Sequence, residues 1–270
     1  MTAQAAADGI AKAFVDARQT GGALPDYPGA LPETLDQAYG IQERAIALFG
    51  GRVAGWKVGK IPSPLDEAHG ANRLAGPIFA DSVVEAAGPG DVPIMPIFAT
   101  GFGAAEAEFL LRLGDLPESF DRAWTNEAAA AHVDVIHVGI EVASSPFPGI
   151  NDHGPAVTVS DFGNNNGLVI GPAVPRDADV HDWPITLTID GEVAGTGTAR
   201  GMLDGPFGAV RFLFELAAQR GLPLAKGQWI STGAVTGVHQ VAVGAAVEAR
   251  FGTDYQVRCS ITGKAGSEAR

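Results

Sequence analysis

Two glutamates one residue apart, Glu106 and Glu108, sit in the otherwise apolar run Ala104-Ala105-Glu106-Ala107-Glu108-Phe109-Leu110-Leu111-Arg112. A strand sends residues i and i+2 to the same face, so an extended run places both carboxylates side by side. A solvated strand face, or a helix, is the plainer alternative. Like charges that close raise each other's pKa unless a cation lies between them. Oxygen ligands suit Mg²⁺, Mn²⁺ or Ca²⁺. A second run, Val133–Val142, alternates at period two: Ile136, Val138, Ile140 and Val142 form one face, and His137, Gly139 and Glu141 the other. Glu141 is thus a third carboxylate on an apolar strand. Three such groups on two runs favour a metal site over three solvated charges.

Other candidates are weaker. Lys57 lies inside the short strand-like stretch Val53–Val58, where a lysine is costly unless it is paired or its head reaches water. An edge lysine with a solvated head reads equally well. Asp81 follows the apolar patch Gly76–Phe79, a setting typical of turn and cap residues. Asp161, Asn164, Asn165 and Asn166 fall in a polar, Gly- and Pro-bearing stretch, 143–167, read here as a loop that supplies turns, hydrogen bonds to a substrate, or both.

The elements that would position these groups follow from the chain in order. Residues 3–18 read as an amphipathic helix ended near Gly21-Gly22, and Leu31-Pro32-Glu33-Thr34 opens a second that Gly50-Gly51 stops. Residues 61–76 read as loop, the Glu106 strand follows, and Pro117–Ala131 reads as a helix before the Glu141 strand. Beyond residue 168 the pattern is mainly β, with a hairpin at Asp190-Gly191 and a helix over Phe207–Arg220 capped by Gly221. The expectation is an α+β chain: one catalytic domain over 1–270, helical over 1–52 and mainly β over 53–270.

Lys+Arg 18 against Asp+Glu 31 gives 18 − 31 = −13, which argues against non-specific binding to nucleic acid or an anionic membrane. The single cysteine, Cys259, cannot form an internal disulfide and reads as a small core residue. No run approaches transmembrane length, and the N-terminus lacks the basic start and apolar core of a signal peptide. The expectation is a soluble cytoplasmic homo-oligomer acting on a small molecule. No phosphate-cradling glycine motif and no zinc-spaced Cys/His cluster occurs.

Taken together and in order, Gly55-Trp56-Lys57-Val58-Gly59, Pro77-Ile78-Phe79-Ala80-Asp81, Glu106-Ala107-Glu108, Gly139-Ile140-Glu141, the run Asp161–Gly171 and Ser231-Thr232-Gly233-Ala234-Val235-Thr236-Gly237 resemble the 2-oxopent-4-enoate hydratase/4-oxalocrotonate decarboxylase group of the fumarylacetoacetate hydrolase superfamily. The resemblance spans nearly the whole chain. It implies a fumarylacetoacetate-hydrolase-like mixed β core, a sandwich or roll, with N-terminal helices. It further implies Mg²⁺ or Mn²⁺ on Glu106, Glu108 and Glu141, an active-site lysine at Lys57 with Asp81 as its nearby acid, and 2-hydroxydienoates or 2-oxo acids of aromatic meta-cleavage pathways as substrates. One departure is Gly101–Ala105, where group members carry a polar stretch with a basic residue beside a proline.

On this reading the enzyme adds water to a 2-hydroxy-2,4-dienoate, with Asp161, Asn165, Thr232, Gly233 and Thr236 as candidates to hydrogen-bond the substrate. Decarboxylation of a 2-oxo-3-enedioate uses the same chemistry but wants a cation for the second carboxylate, and spacing places none. A C–C hydrolase of the superfamily would want a histidine–acid pair, which the six scattered histidines do not supply. A calcium-binding β protein would account for the carboxylates but not for Lys57.

Overall fold

The computed structural model describes residues 2–86, 88 and 90–264. Two helices open the chain, α1 (Ala3–Thr20) and α2 (Leu35–Phe49). Each has a threonine cap: Thr2 accepts from the Ala5 N–H and Thr34 from the Gln37 N–H. Each ends on a glycine in the left-handed region, Gly21 and Gly50. Then follow β1 (Val53–Lys60), α3 (Leu65–His69), β2 (Arg73–Phe79), β3 (Val83–Glu85), β4 (Ile94–Ile97), β5 (Phe102–Leu113), α4 (Asn126–Ala130), β6 (Val133–Ser145), α5 (Pro155–Ser160) and β7 (Asn165–Val174). The chain continues with β8 (Ile185–Ile189), β9 (Glu192–Gly197), α6 (Pro206–Arg220), β10 (Trp229–Ser231), β11 (His239–Gln240), β12 (Ala246–Phe251) and β13 (Tyr255–Gly263).

The strands make two mixed sheets. The larger runs β2-β1-β10-β5-β6-β7-β3, with β11 also on β5; the smaller runs β4-β13-β12-β8-β9. One face of the larger sheet is wholly apolar. Trp56, Val58, Ala107, Phe109, Leu111, Ile136, Val138, Ile140 and Val142 pack there against Val247, Ala249, Phe251, Val257 and Cys259 of the smaller sheet. The period-two alternation of β6 therefore reports a real inside and outside, and Cys259 is a buried free thiol of that core. Near the start of β5, the opposite face is covered by α1 and α2, whose Ile10, Phe14, Val15 and Ile41 meet Phe79, Phe102, Phe147 and Phe162. No described helix is long and apolar enough to cross a membrane.

Three expected elements differ. Only Asn126–Ala130 of the helix expected over Pro117–Ala131 is helical. The Ser119 hydroxyl instead accepts from the Asp121 N–H and the Trp124 indole donates to the Phe120 carbonyl, so local side-chain bonds win over the helix. Within 61–76, taken as loop, α3 forms and β2 begins, because β2 pairs along the whole of β1 from Phe79 opposite Val53 to Arg73 opposite Lys60. Likewise 143–167 is not one long loop. β6 runs on to Ser145, opposite Phe102 of β5; Pro155 opens α5; and β7 starts at Asn165.

Candidate active site

Register across the larger sheet assembles the site. In β5 and β6, Glu106 lies directly opposite Glu141, and Glu108 is opposite Gly139. Directly paired antiparallel residues share a face with Cβ atoms about 5 Å apart, so all three carboxylates converge. The next row is continuous over four strands: Lys57 of β1 pairs with Ser231 of β10, Ser231 with Leu110 of β5, and Leu110 with His137 of β6. Lys57 and Ser231 therefore stand on the carboxylate face, opposite the apolar core.

One oxygen from each of Glu106, Glu108 and Glu141 lies within 4.8 Å of the others. Glu108 and Glu141 are completely buried, while Glu106 and Lys57 keep only 4% and 6% exposure. Glu106 and Lys57 reach the floor of a cavity of about 460 Å³, walled by Leu65, Leu74, Thr158, Asn164 and Val238 among others. The Lys57 ammonium is 3.6 Å from Glu141 Oε2. Ser231 donates a short hydrogen bond to Glu108, and the Gly233 N–H donates to the same oxygen at 3.1 Å. Asn165 Nδ2 donates to Glu141 Oε1 at 2.8 Å.

Three carboxylates and one ammonium leave two negative charges in a buried place. Burial, together with the charge of its neighbour Glu141, pushes the Glu106 carboxyl up to about 7 even though Lys57 pulls it down. The Glu108 carboxyl is held well above its ordinary value by burial and by Glu141 and Glu106. Glu108 Oε1 is buried without a hydrogen-bond partner. A converging set of three hard oxygen ligands, an orphaned carboxylate oxygen and a deficit of two positive charges all fit a divalent cation. The fit identifies Glu106, Glu108 and Glu141 as the residues that would hold it.

The remaining sequence candidates are placed differently. Thr232 donates its hydroxyl to the Phe109 carbonyl at 2.8 Å. Gly233 gives its N–H to Glu108. Thr236 is 9% exposed, and its Oγ1 is buried without a partner. Asp161 is held by Arg18 in a buried ion pair and also accepts from Ser145 Oγ at 2.6 Å. Asp81 lines a second cavity of about 230 Å³ with Arg18, Phe49, Phe79, Met95 and Lys264; the two cavities share no lining residue. The expected pairing of Asp81 with Lys57 in one pocket is therefore not what the structure shows. The short helical turn after Phe79 carries Asp81 off the end of β2 toward that other cavity.

Ser231 and Arg18 are the contributors that spacing did not single out. Arg18 carried a signal: it continues the stripe Ile10, Phe14, Arg18 at helical spacing, a cation on an apolar face. Ser231 carried none in its spacing, since a serine at a strand end is commonplace, and entered only as the first residue of the Ser231–Gly237 run.

No family model matches the chain. The 2-keto-4-pentenoate hydratase of Paraburkholderia xenovorans is 28% identical over 234 residues, 83% of each protein. A 2-keto-4-pentenoate hydratase of Dechloromonas aromatica is 27% identical over 211 residues, 74% of this chain and 75% of its own. Among solved structures, 4-oxalocrotonate decarboxylase from Pseudomonas putida G7, complexed with magnesium and adipate, superposes with TM-score 0.79 at 20% identity, covering 94% of this chain and 97% of that one. Fumarylpyruvate hydrolase from Pseudomonas aeruginosa, in complex with Mn²⁺ and pyruvate, gives TM-score 0.57 at 18% identity over 79% of this chain and 91% of that one. The fold is thus the fumarylacetoacetate-hydrolase-like mixed β core with N-terminal helices. In sequence the chain is similar to 2-keto-4-pentenoate hydratases, and in fold to 4-oxalocrotonate decarboxylase.

Proposed function

We propose that the protein is a metal-dependent hydratase that converts a 2-hydroxy-2,4-dienoate into a 4-hydroxy-2-oxo acid, with Mg²⁺ or Mn²⁺ on Glu106, Glu108 and Glu141. The observation that carries the reading is the buried three-carboxylate cluster with Lys57 at the floor of one cavity. The two hydratase relatives, each matched over about three quarters of its length or more, support the reaction class. A bound divalent cation would act there as a Lewis acid toward the oxygens of a 2-oxo acid.

The chain's own groups do the rest. Lys57 stays protonated: burial alone would lower its pKa, but Glu141, Glu106 and Glu108 outweigh burial and hold it above the ordinary lysine value. It therefore works as a fixed hydrogen-bond donor to negative charge developing on the substrate 2-oxygen, not as a base. In the first stage the dienol proton leaves that oxygen and a proton arrives at C5, giving the conjugated 2-oxo-3-enoate. In the second, the oxygen of water bonds to C4 and a proton goes to C3. Asn164, which lines the cavity and keeps a buried Oδ1 without a partner, is placed to accept a hydrogen bond from the water or substrate.

Decarboxylation of a 2-oxo-3-enedioate is the second reading, favoured by one feature: Lys60, exposed on the cavity wall, offers a cation to a second carboxylate. Incubation with 2-hydroxypenta-2,4-dienoate, with and without Mg²⁺ or Mn²⁺, separates the possibilities. The expected result is metal-dependent loss of dienol absorbance with a hydroxy-oxo product. Release of CO₂ from an oxo-enedioate, with no hydration of the dienol, would replace hydration by decarboxylation. No turnover of either, alongside Ca²⁺-dependent stability, would leave a binding protein.

A further inference from the structure

The carboxylate site is held from behind by a residue of the N-terminal helix. Arg18 of α1 is 4% exposed, and its guanidinium spends its donors on backbone and side chains of 144–166. Nε and Nη2 fork onto the Asp161 carboxylate, Nη2 also reaches the Ser144 carbonyl at 3.0 Å, and Nη1 reaches the Asn165 carbonyl at 3.1 Å and Asn166 Oδ1 at 3.4 Å. Its cationic head lies 5.0 Å from the centre of the Phe162 ring.

Between these points the backbone does something costly. Phe162, Gly163 and Asn164 are left-handed in succession, with φ of 55°, 63° and 64°. Two of the three are not glycine, and phenylalanine gains nothing local to offset that conformation. Such a kink persists only where its surroundings over-determine it. Arg18 grips it on both sides, at Asp161 before and at Asn165 and Asn166 after. The kink in turn delivers two groups to the site: Asn164 to the cavity wall and Asn165 Nδ2 to Glu141 Oε1 at 2.8 Å.

We infer that Arg18 is a positioning residue: by clamping the 161–166 kink it fixes Asn165 against Glu141 and so sets the affinity of the carboxylate site for its cation. The inference rests on the metal-site reading above. A hydrogen bond to a ligating carboxylate that holds its orientation is worth about 10–100-fold in metal affinity.

The test is a Mn²⁺ titration of metal-free protein by calorimetry, on wild type, Arg18→Lys, Arg18→Met, Asn165→Ala and Arg18→Met/Asn165→Ala. Arg44→Met serves as control, since Arg44 makes an exposed ion pair from α2 to Asp8 of α1. The expected result is Mn²⁺ affinity weakened roughly tenfold or more in Arg18→Met and Asn165→Ala, no further loss in the double variant, and unchanged affinity in Arg44→Met. Lysine keeps the charge but not the fork, so Arg18→Lys falls between wild type and Arg18→Met. It also keeps the measurement possible if Arg18→Met does not fold. Folded Arg18 variants that bind Mn²⁺ like wild type, or losses that simply add in the double variant, overturn the clamp. Wild-type protein that binds no Mn²⁺ overturns the metal site itself, a distinguishable failure.

Discussion

Lys57 keeps its proton in a place that would by burial alone strip it, because three carboxylates surround it. Its charge also competes with any cation for those same carboxylates. Lys57→Ala is therefore expected to lower turnover about a hundredfold or more while leaving Mn²⁺ affinity equal to or tighter than wild type. Paired measurement of kcat and metal affinity checks this, and equal loss of both would count against the role. Glu106→Gln and Glu141→Gln act on the other side of the balance. On the proposed metal-site reading each removes one negative ligand from the cation, so metal-dependent turnover should vanish while the circular dichroism spectrum stays native. Full activity in either would show that the carboxylates do something else. At this scale the sequence was most informative about Glu106, Glu108 and Glu141, because period two is a local property of a strand. It was least informative about Asp81 and Asp161, whose partners are set by where loops end.

Among the elements, β1, β10, β5 and β6 matter through register. A slip of one residue in any of them would turn its site residue into the apolar core and a core residue into the cavity. The dense alternation of large apolar residues on the other face makes such a slip costly. The least regular part of the site, the 162–164 kink, is fitted against β2 at Gly76. A Cβ there would lie 2.0 Å from the Phe162 carbonyl oxygen and 2.4 Å from its carbon. Gly76→Ala must therefore displace backbone, and urea unfolding should show a loss of about 3 kcal/mol. Gly9→Ala in α1, where nothing lies within 4 Å, should instead stabilise slightly. A tolerated Gly76→Ala would mean the kink moves freely, contrary to its being tightly packed. Neither β2 nor α5 was evident in the sequence. Each forms within a Pro- and Gly-bearing stretch, and long-range pairing with β1 overrides the local preference of the first.

Taken whole, the molecule carries −13 and gathers three buried carboxyls around a single ammonium inside its larger sheet. That has a pH consequence. The Glu106 and Glu108 carboxyls sit above their ordinary value in the folded protein, so without metal the native state binds protons that the unfolded chain has already lost. Their contribution to stability is fully present below the ordinary carboxylate pKa of 4.5 and is lost as pH rises through the Glu106 value of about 7. Melting temperature in the presence of chelator should fall between about pH 5 and pH 8. Saturating Mn²⁺ should reverse that slope, since the cation displaces the protons, and a hundredfold excess over Kd adds about 2.7 kcal/mol. A profile that stays flat, with or without metal, would show that the carboxylates do not bind as a unit.

Strand periodicity and residue type were enough to mark Glu106, Glu108 and Glu141 as inward-facing acids and to define the apolar face behind them, since alternation depends only on neighbours along the chain. Which strands lie side by side was decided only by folding. The pairing of β1 with β10, separated by more than 160 residues, brings Ser231 beside Lys57, and the docking of α1 brings Arg18 to Asp161 across 143 residues. Contacts at that separation are paid for by burial and charge matching between whole elements, and no local pattern encodes them.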